Sequence, residues 1–133
     1  MEASESPYPK DGFRLAAHDF RRVVKRLAER DTDDAAFHLQ QAVEKYLKGY
    51  LLARGWRLKR IHDIEALLSD AIRYDAGLER YRALCQQVAG YYLIERYPIF
   101  EEGLSIREVR KAYEQTKKLV RDLQVRSSTP RRS

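Results

Sequence analysis

From residue 13 onward the apolar positions recur every three or four residues rather than every second one. Phe13, Ala16, Ala17, Phe20, Val23, Val24 and Leu27 form the first such series. The spacing matches the ~3.6-residue turn of an α-helix and predicts an amphipathic first helix. The stretch Asp31-Thr32-Asp33-Asp34 interrupts it and offers an N-cap for the next helix. That second helix is predicted from about Asp34 to Arg54, ended by Gly55. A basic loop, Gly55 to Ile61, then carries Arg57, Lys59 and Arg60. A short third helix starts near His62-Asp63 and turns Ile64, Leu67, Leu68, Ala71 and Ile72 inward. A fourth spans roughly Leu78 to Ile94, with Tyr81, Leu84, Cys85, Val88, Tyr91 and Tyr92 on one side. Pro98 keeps it from running on, because proline disfavours helix at the residue before it. Ser105 with Glu108 three residues later is a capping box, opening a last helix with Ile106, Val109, Tyr113, Leu119, Val120 and Leu123.

No stretch alternates for long enough to build a sheet. The expected architecture is therefore all-α, an up-and-down bundle of four main helices plus a short fifth. The domain should lie within 12–125. Residues 1–11, with Pro7 and Pro9, read as a loose arm, and 126–133 (RSSTPRRS) as a disordered basic tail. Of the 133 residues 44% are hydrophobic, enough for one core, while 35% are charged and no apolar run approaches the ~20 residues of a membrane-spanning helix. The polar start MEASESPYPKDG does not resemble a secretory leader. Cys85 is the one cysteine, which excludes an internal disulfide and a cysteine-built zinc site. A cytoplasmic setting follows as the expectation. The net charge of +6 is compatible with an anionic partner and is also ordinary for a soluble domain.

The second helix divides into two faces. With Phe37 set at zero and ~100° per residue, Leu39, Ala42, Val43, Tyr46, Leu47 and Tyr50 fall between roughly 140° and 280°, a core stripe. Gln41, Glu44, Lys45 and Lys48 fall between roughly −20° and 80°, opposite to it. One reading is a solvated face on which Glu44 and Lys48 form an i,i+4 pair worth ~0.2–0.5 kcal/mol. The other is a polar patch built to hold an anion.

The histidines offer few alternatives. His18 lies beside the first helix's core stripe and His38 on the second helix; both read as structural, half-buried or surface side chains. Asp63 suits the cap or first turn of the third helix, with His62 anchoring the loop by a hydrogen bond. No HxxxH or HExxH pair is present, so neither metal nor cofactor is expected. Tyr92 and Tyr97 bracket Arg96. An arginine between aromatics can grip a phosphate while a ring stacks a base. Alternatively, Tyr97-Pro98 closes the bundle end and Arg96 pairs with an acid such as Glu44.

The run AAFHLQQAVEKYLKGYLLARG (35–55) resembles the central helix of the HEPN domain, the "higher eukaryotes and prokaryotes nucleotide-binding" bundle. His62-Asp63 followed by Ile64 and Leu67-Leu68, the Tyr91-Tyr92 pair and Glu95-Arg96-Tyr97-Pro98 agree in order, so the resemblance covers about 13–125. It implies a five-helix bundle, commonly a homodimer, often partnered by a small nucleotidyltransferase in toxin–antitoxin pairs. Many such domains are metal-independent ribonucleases, using an Arg and a His four to six residues later: His moves the 2′-hydroxyl proton and Arg holds the phosphate. Here Arg57 and His62 have that separation, with Leu58 where a polar residue is usual and in an earlier loop than the family's motif. The stretch Tyr91 to Glu102 contains Arg96 and no histidine. The expectation is a non-catalytic accessory protein binding a nucleotide or RNA through Gln41, Lys45, Lys48, His62 and Arg96. The alternatives are a ribonuclease toxin using Arg57 and His62, and a dimeric interaction module.

Overall fold

The structure, a computed structural model, describes the backbone over residues 7–96 and 104–127 and the side chains over 7–91 and 104–125. Five α-helices follow one another: α1 Pro9–Ala28, α2 Thr32–Ala53, α3 Ile64–Tyr74, α4 Arg82–Arg96 and α5 Ile106–Ser127. Among the described residues there is no strand and no helix long and apolar enough to cross a membrane. The fold is the all-α bundle that the periodicity predicts, with α3 as the short helix.

Local chemistry sets the boundaries. Proline lacks the N–H that a first helical turn leaves unpaired, so α1 starts at Pro9. Residues 9–11 therefore belong to the helix and not to an arm, and α5 likewise continues to Ser127, into the predicted tail. The rest of the arm and tail, and the stop expected from Pro98, lie outside the described residues. At the end of α1, Asp31 N–H donates to Arg26 C=O at 2.9 Å and Arg30 N–H to Leu27 C=O at 3.0 Å, with Arg30 at φ 59°. Gly55 does the same for α2 at φ 88°, with Trp56 N–H reaching Leu51 C=O at 2.9 Å. Both ends are Schellman motifs, and glycine suits the second because it has no Cβ to strain there. Asp31, Asp63 and Ser105 accept backbone N–H bonds at the starts of α2, α3 and α5. The fourth segment is not one continuous helix from Leu78. Asp75 accepts from Gly77 N–H at 3.0 Å and opens a 3-10 turn, Ala76–Tyr81, that leads into α4.

α2 touches every other helix. Its predicted stripe, Leu39, Ala42, Val43, Tyr46, Leu47 and Tyr50, is fully or almost fully buried. The three residues between α1 and α2 turn the chain back, so Gly12 meets Gly49 at one end of the pair and Arg26 meets Asp34 at the other. A Cβ on Gly12 would stand 3.3 Å from the Gly49 Cα, and one on Gly49 3.1 Å from the Phe13 ring. Two glycines thus let the backbones approach. Phe20 then seats edge-on against Tyr46 and 4.7 Å from the Tyr113 ring centroid, joining α1, α2 and α5. Tyr81 Oη donates to the Asp122 carboxylate and ties the 3-10 turn to α5.

Cys85 is fully buried between these elements, and burial pushes its thiol up from 9.0 to about 12. The folded state therefore keeps its proton where the unfolded chain loses it. Stability should fall as pH rises from about 9 toward about 12. Iodoacetamide should label Cys85 only as fast as the chain unfolds, and rapid labelling of folded protein at mildly alkaline pH contradicts this burial.

Candidate binding cleft on the second helix

Half of the polar face of α2 is withdrawn from solvent, while Gln41 and Lys45 stay partly exposed. Glu44 and Lys48 are each 7% exposed, because the start of α1 and the loop after Gly55 fold over them. Glu44 Oε2 lies 3.8 Å from Lys48 Nζ and accepts from His62 Nδ1 at 3.2 Å. A carboxylate can only accept, so Nδ1 of His62 carries the proton in that bond. The His62 side chain is otherwise 69% exposed, which makes Glu44 a buried hook for an exposed loop. The expected loop-anchoring role of His62 is thus present, with its partner on α2.

Beside this hook a cavity of about 610 Å³ opens between α2, the loop and α4, lined by Gln40, Gln41, Glu44, Lys45, His62 and Asp63 with Ile64 and Ala89 as its apolar wall. That is within the ~300–1,000 Å³ usual for small-ligand sites. Gln41 Nε2 donates to Gln40 Oε1 at 3.3 Å, which orients the two amides. Of the residues expected to bind, the cleft brings together Gln41, Lys45 and His62. Lys48 faces a neighbouring small cavity of about 100 Å³ with Gly12, Leu15, Leu52 and Leu58, and Glu44 and Lys45 border both. Arg96 closes α4, and its side chain lies outside the described residues, as do Tyr92 and Tyr97. Arg57 and His62, the alternative catalytic pair, line different cavities: Arg57 stands with Trp56 and Arg73.

Two residues outside the sequence-based candidates stand directly behind the cleft. Asp19 of α1 is buried and accepts from Lys45 Nζ and from His38 Nδ1, the latter at 3.0 Å. His38 is equally buried, and its Nε2 lies 3.5 Å from Asp34 Oδ2, which pairs with Arg26 Nε at 2.6 Å. His38 is thus neither a surface residue nor a passive one. It sits between two carboxylates in a row of polar contacts that ends at Lys45 on the cleft wall. The signal was in the spacing: Asp19 is three residues after Ala16 and four before Val23, inside an apolar stripe. A carboxylate there needs a partner on the facing helix, since an unpaired buried charge is too costly.

The cleft offers amides and carboxylates that recognise hydroxyls and amines, one lysine already engaged by Asp19, and an exposed imidazole. Among the described residues no three His, Cys, Asp or Glu side chains converge on a metal-sized point. Compared with models of protein families, the chain matches the HEPN domain over residues 10–126. No curated protein and no solved structure gives a significant match.

Proposed function

The chain belongs to the HEPN domain family, and from that premise we propose that it is a non-catalytic accessory protein that binds a nucleotide or RNA beside a small nucleotidyltransferase, in a toxin–antitoxin pair, and acts as a homodimer in the cytoplasm. The observation that supports binding at this place is the cleft itself, which collects Gln41, Lys45 and His62 from α2 and the following loop. The glutamine amides and the Glu44 and Asp63 carboxylates suit base edges and ribose hydroxyls. In this reading Lys45, Lys48 and Arg96 supply the positive charge for phosphate. An accessory role accords with Arg57 and His62 lining separate cavities.

Calorimetric titration with ATP and with a short RNA tests the site. Lys45→Ala and Arg96→Ala should each weaken binding by ~1.5–3 kcal/mol, the range for a charged hydrogen bond. For Arg96→Ala, a large drop in melting temperature with binding unchanged retires Arg96 as a ligand residue. RNA cleavage without metal that is lost in His62→Ala replaces the accessory reading with the ribonuclease one. Sedimentation at tens of micromolar, an order-of-magnitude choice above the affinity of many weak dimers, should show a dimer; a monomer there removes the dimer from the proposal.

A further inference from the structure

The α2 cleft leaves the other side of the basic loop without a role. There Trp56, Arg57, Lys59, Asp70, Arg73 and Tyr74 enclose a second cavity of about 420 Å³, between the loop and the C-terminal turns of α3. Its wall is Trp56, 8% exposed, whose indole N–H donates to Asp70 Oδ2 at 3.1 Å. That bond holds the ring in place and engages one oxygen of the only carboxylate among the lining residues. Three cations stand against it. Arg57, Lys59 and Arg73 are all exposed, and no ion pair or hydrogen bond among the described residues holds any of them. Tyr74, the last residue of α3, adds an aromatic side chain with 43% of its surface in solvent.

The two cavities differ in charge balance. In the α2 cleft a phosphate meets Glu44 and Asp63, and the one lysine is already bound to Asp19. In the second cavity it meets three unengaged cations and a single carboxylate that is partly occupied. Uncompensated cations in a recess raise the local concentration of anions and hold them at short range. Arginine adds a planar fork that fits two phosphate oxygens at once, and lysine a point charge. An exposed tyrosine ring beside them is a platform on which a base can stack.

We propose that Trp56, Arg57, Lys59, Arg73 and Tyr74 form a second binding site, for a nucleoside phosphate, with the phosphate on Arg57, Lys59 and Arg73 and the base on Tyr74. The nucleoside phosphate comes from a free nucleotide or from a single strand. The site shares no residue with the α2 cleft. Arg57 accordingly acts as a binding residue rather than as half of a catalytic pair with His62.

Trp56 is the chain's one tryptophan, so its emission reports on this cavity directly. The full chain is titrated with inorganic phosphate, with UMP and with a short oligouridylate while Trp56 emission is followed. A saturable response to UMP or to the oligonucleotide, weakening with added salt, is expected. Arg57→Ala and Arg73→Ala should each raise the dissociation constant at least about tenfold, with unchanged circular dichroism since both side chains are exposed. Tyr74→Ala should weaken the nucleotide and leave inorganic phosphate alone. Lys45→Ala should leave the Trp56 response intact even where it abolishes calorimetric binding in the α2 cleft, so the two sites fail separately. A response equal for UMP and the oligonucleotide assigns the site to free nucleotides; one confined to the oligonucleotide assigns it to a strand. The proposal is overturned if no probe changes Trp56 emission, if the response survives both arginine variants, or if Lys45→Ala removes it. It is also overturned if inorganic phosphate binds as tightly as UMP.

Discussion

Asp19→Ala should destabilise the folded chain by roughly 3–5 kcal/mol, the range for removing one member of a buried ion pair. The carboxylate is buried, and two donors converge on it: the Lys45 ammonium and Nδ1 of His38. Alanine removes the acceptor while both donors remain, and His38, also buried, cannot turn to water without unpacking α1 from α2. For a domain of this size ~1 kcal/mol corresponds to ~3–5 °C in melting temperature, so the loss should exceed about 9 °C. Asp19→Asn, which keeps the shape and one carbonyl acceptor, should cost less. An Asp19→Ala melt within a degree or two of the parent excludes the pairing described for Asp19. The same variant frees Lys45 at the cleft wall, which links a change at the α1–α2 interface to the ligand site.

Glu44→Ala should cost about 3 kcal/mol, some ten times what a solvated i,i+4 pair contributes. The two side chains are each 9% exposed, so water cannot replace the carboxylate beside Lys48. The variant also unhooks His62, and the loop after Gly55 should then show faster amide hydrogen exchange than the rest of the fold. A double variant, Glu44→Leu with Lys48→Met, should recover most of the loss, because replacing both charges with apolar side chains removes the desolvation cost along with the attraction. If Glu44→Ala costs only a few tenths of a kcal/mol, Glu44 and Lys48 form a surface pair after all.

Comparison of the two helix faces shows where sequence reasoning stops. The apolar side of α2 was legible residue by residue: Leu39, Ala42, Val43, Tyr46, Leu47 and Tyr50 are all in the core. The polar side was legible as a set, Gln41, Glu44, Lys45 and Lys48, but not in its state. Its spacing was compatible with a solvated face, and what covers Glu44 and Lys48 is the start of α1 and the loop after Gly55, segments ten or more residues away along the chain. The pairing of Asp19 with His38 escapes a reading of the sequence for a related reason. Asp19 stands out as a carboxylate inside the apolar stripe of α1, but its partner cannot be read from either helix alone, and only the antiparallel seating of α1 on α2, with Gly12 against Gly49, brings it to 3.0 Å from His38.

The sequence by itself therefore determined what depends on neighbours along the chain. These are the helical class, the acidic stretch 31–34 as the opening of α2, the caps at Asp63 and Ser105, the stop at Gly55 and the angular position of every α2 side chain. All of them rest on a ~3.6-residue repeat and hydrogen bonds that span a few residues. Tertiary structure decided which of those side chains keep their water and which charges meet. Burial of half of a polar face, the Asp19–His38 and Glu44–His62 pairs, and the separation of Arg57 from His62 into two cavities depend on segments distant in sequence. The free energy of a charge is set by the solvent and counter-charges around it, and helical periodicity carries no information about either.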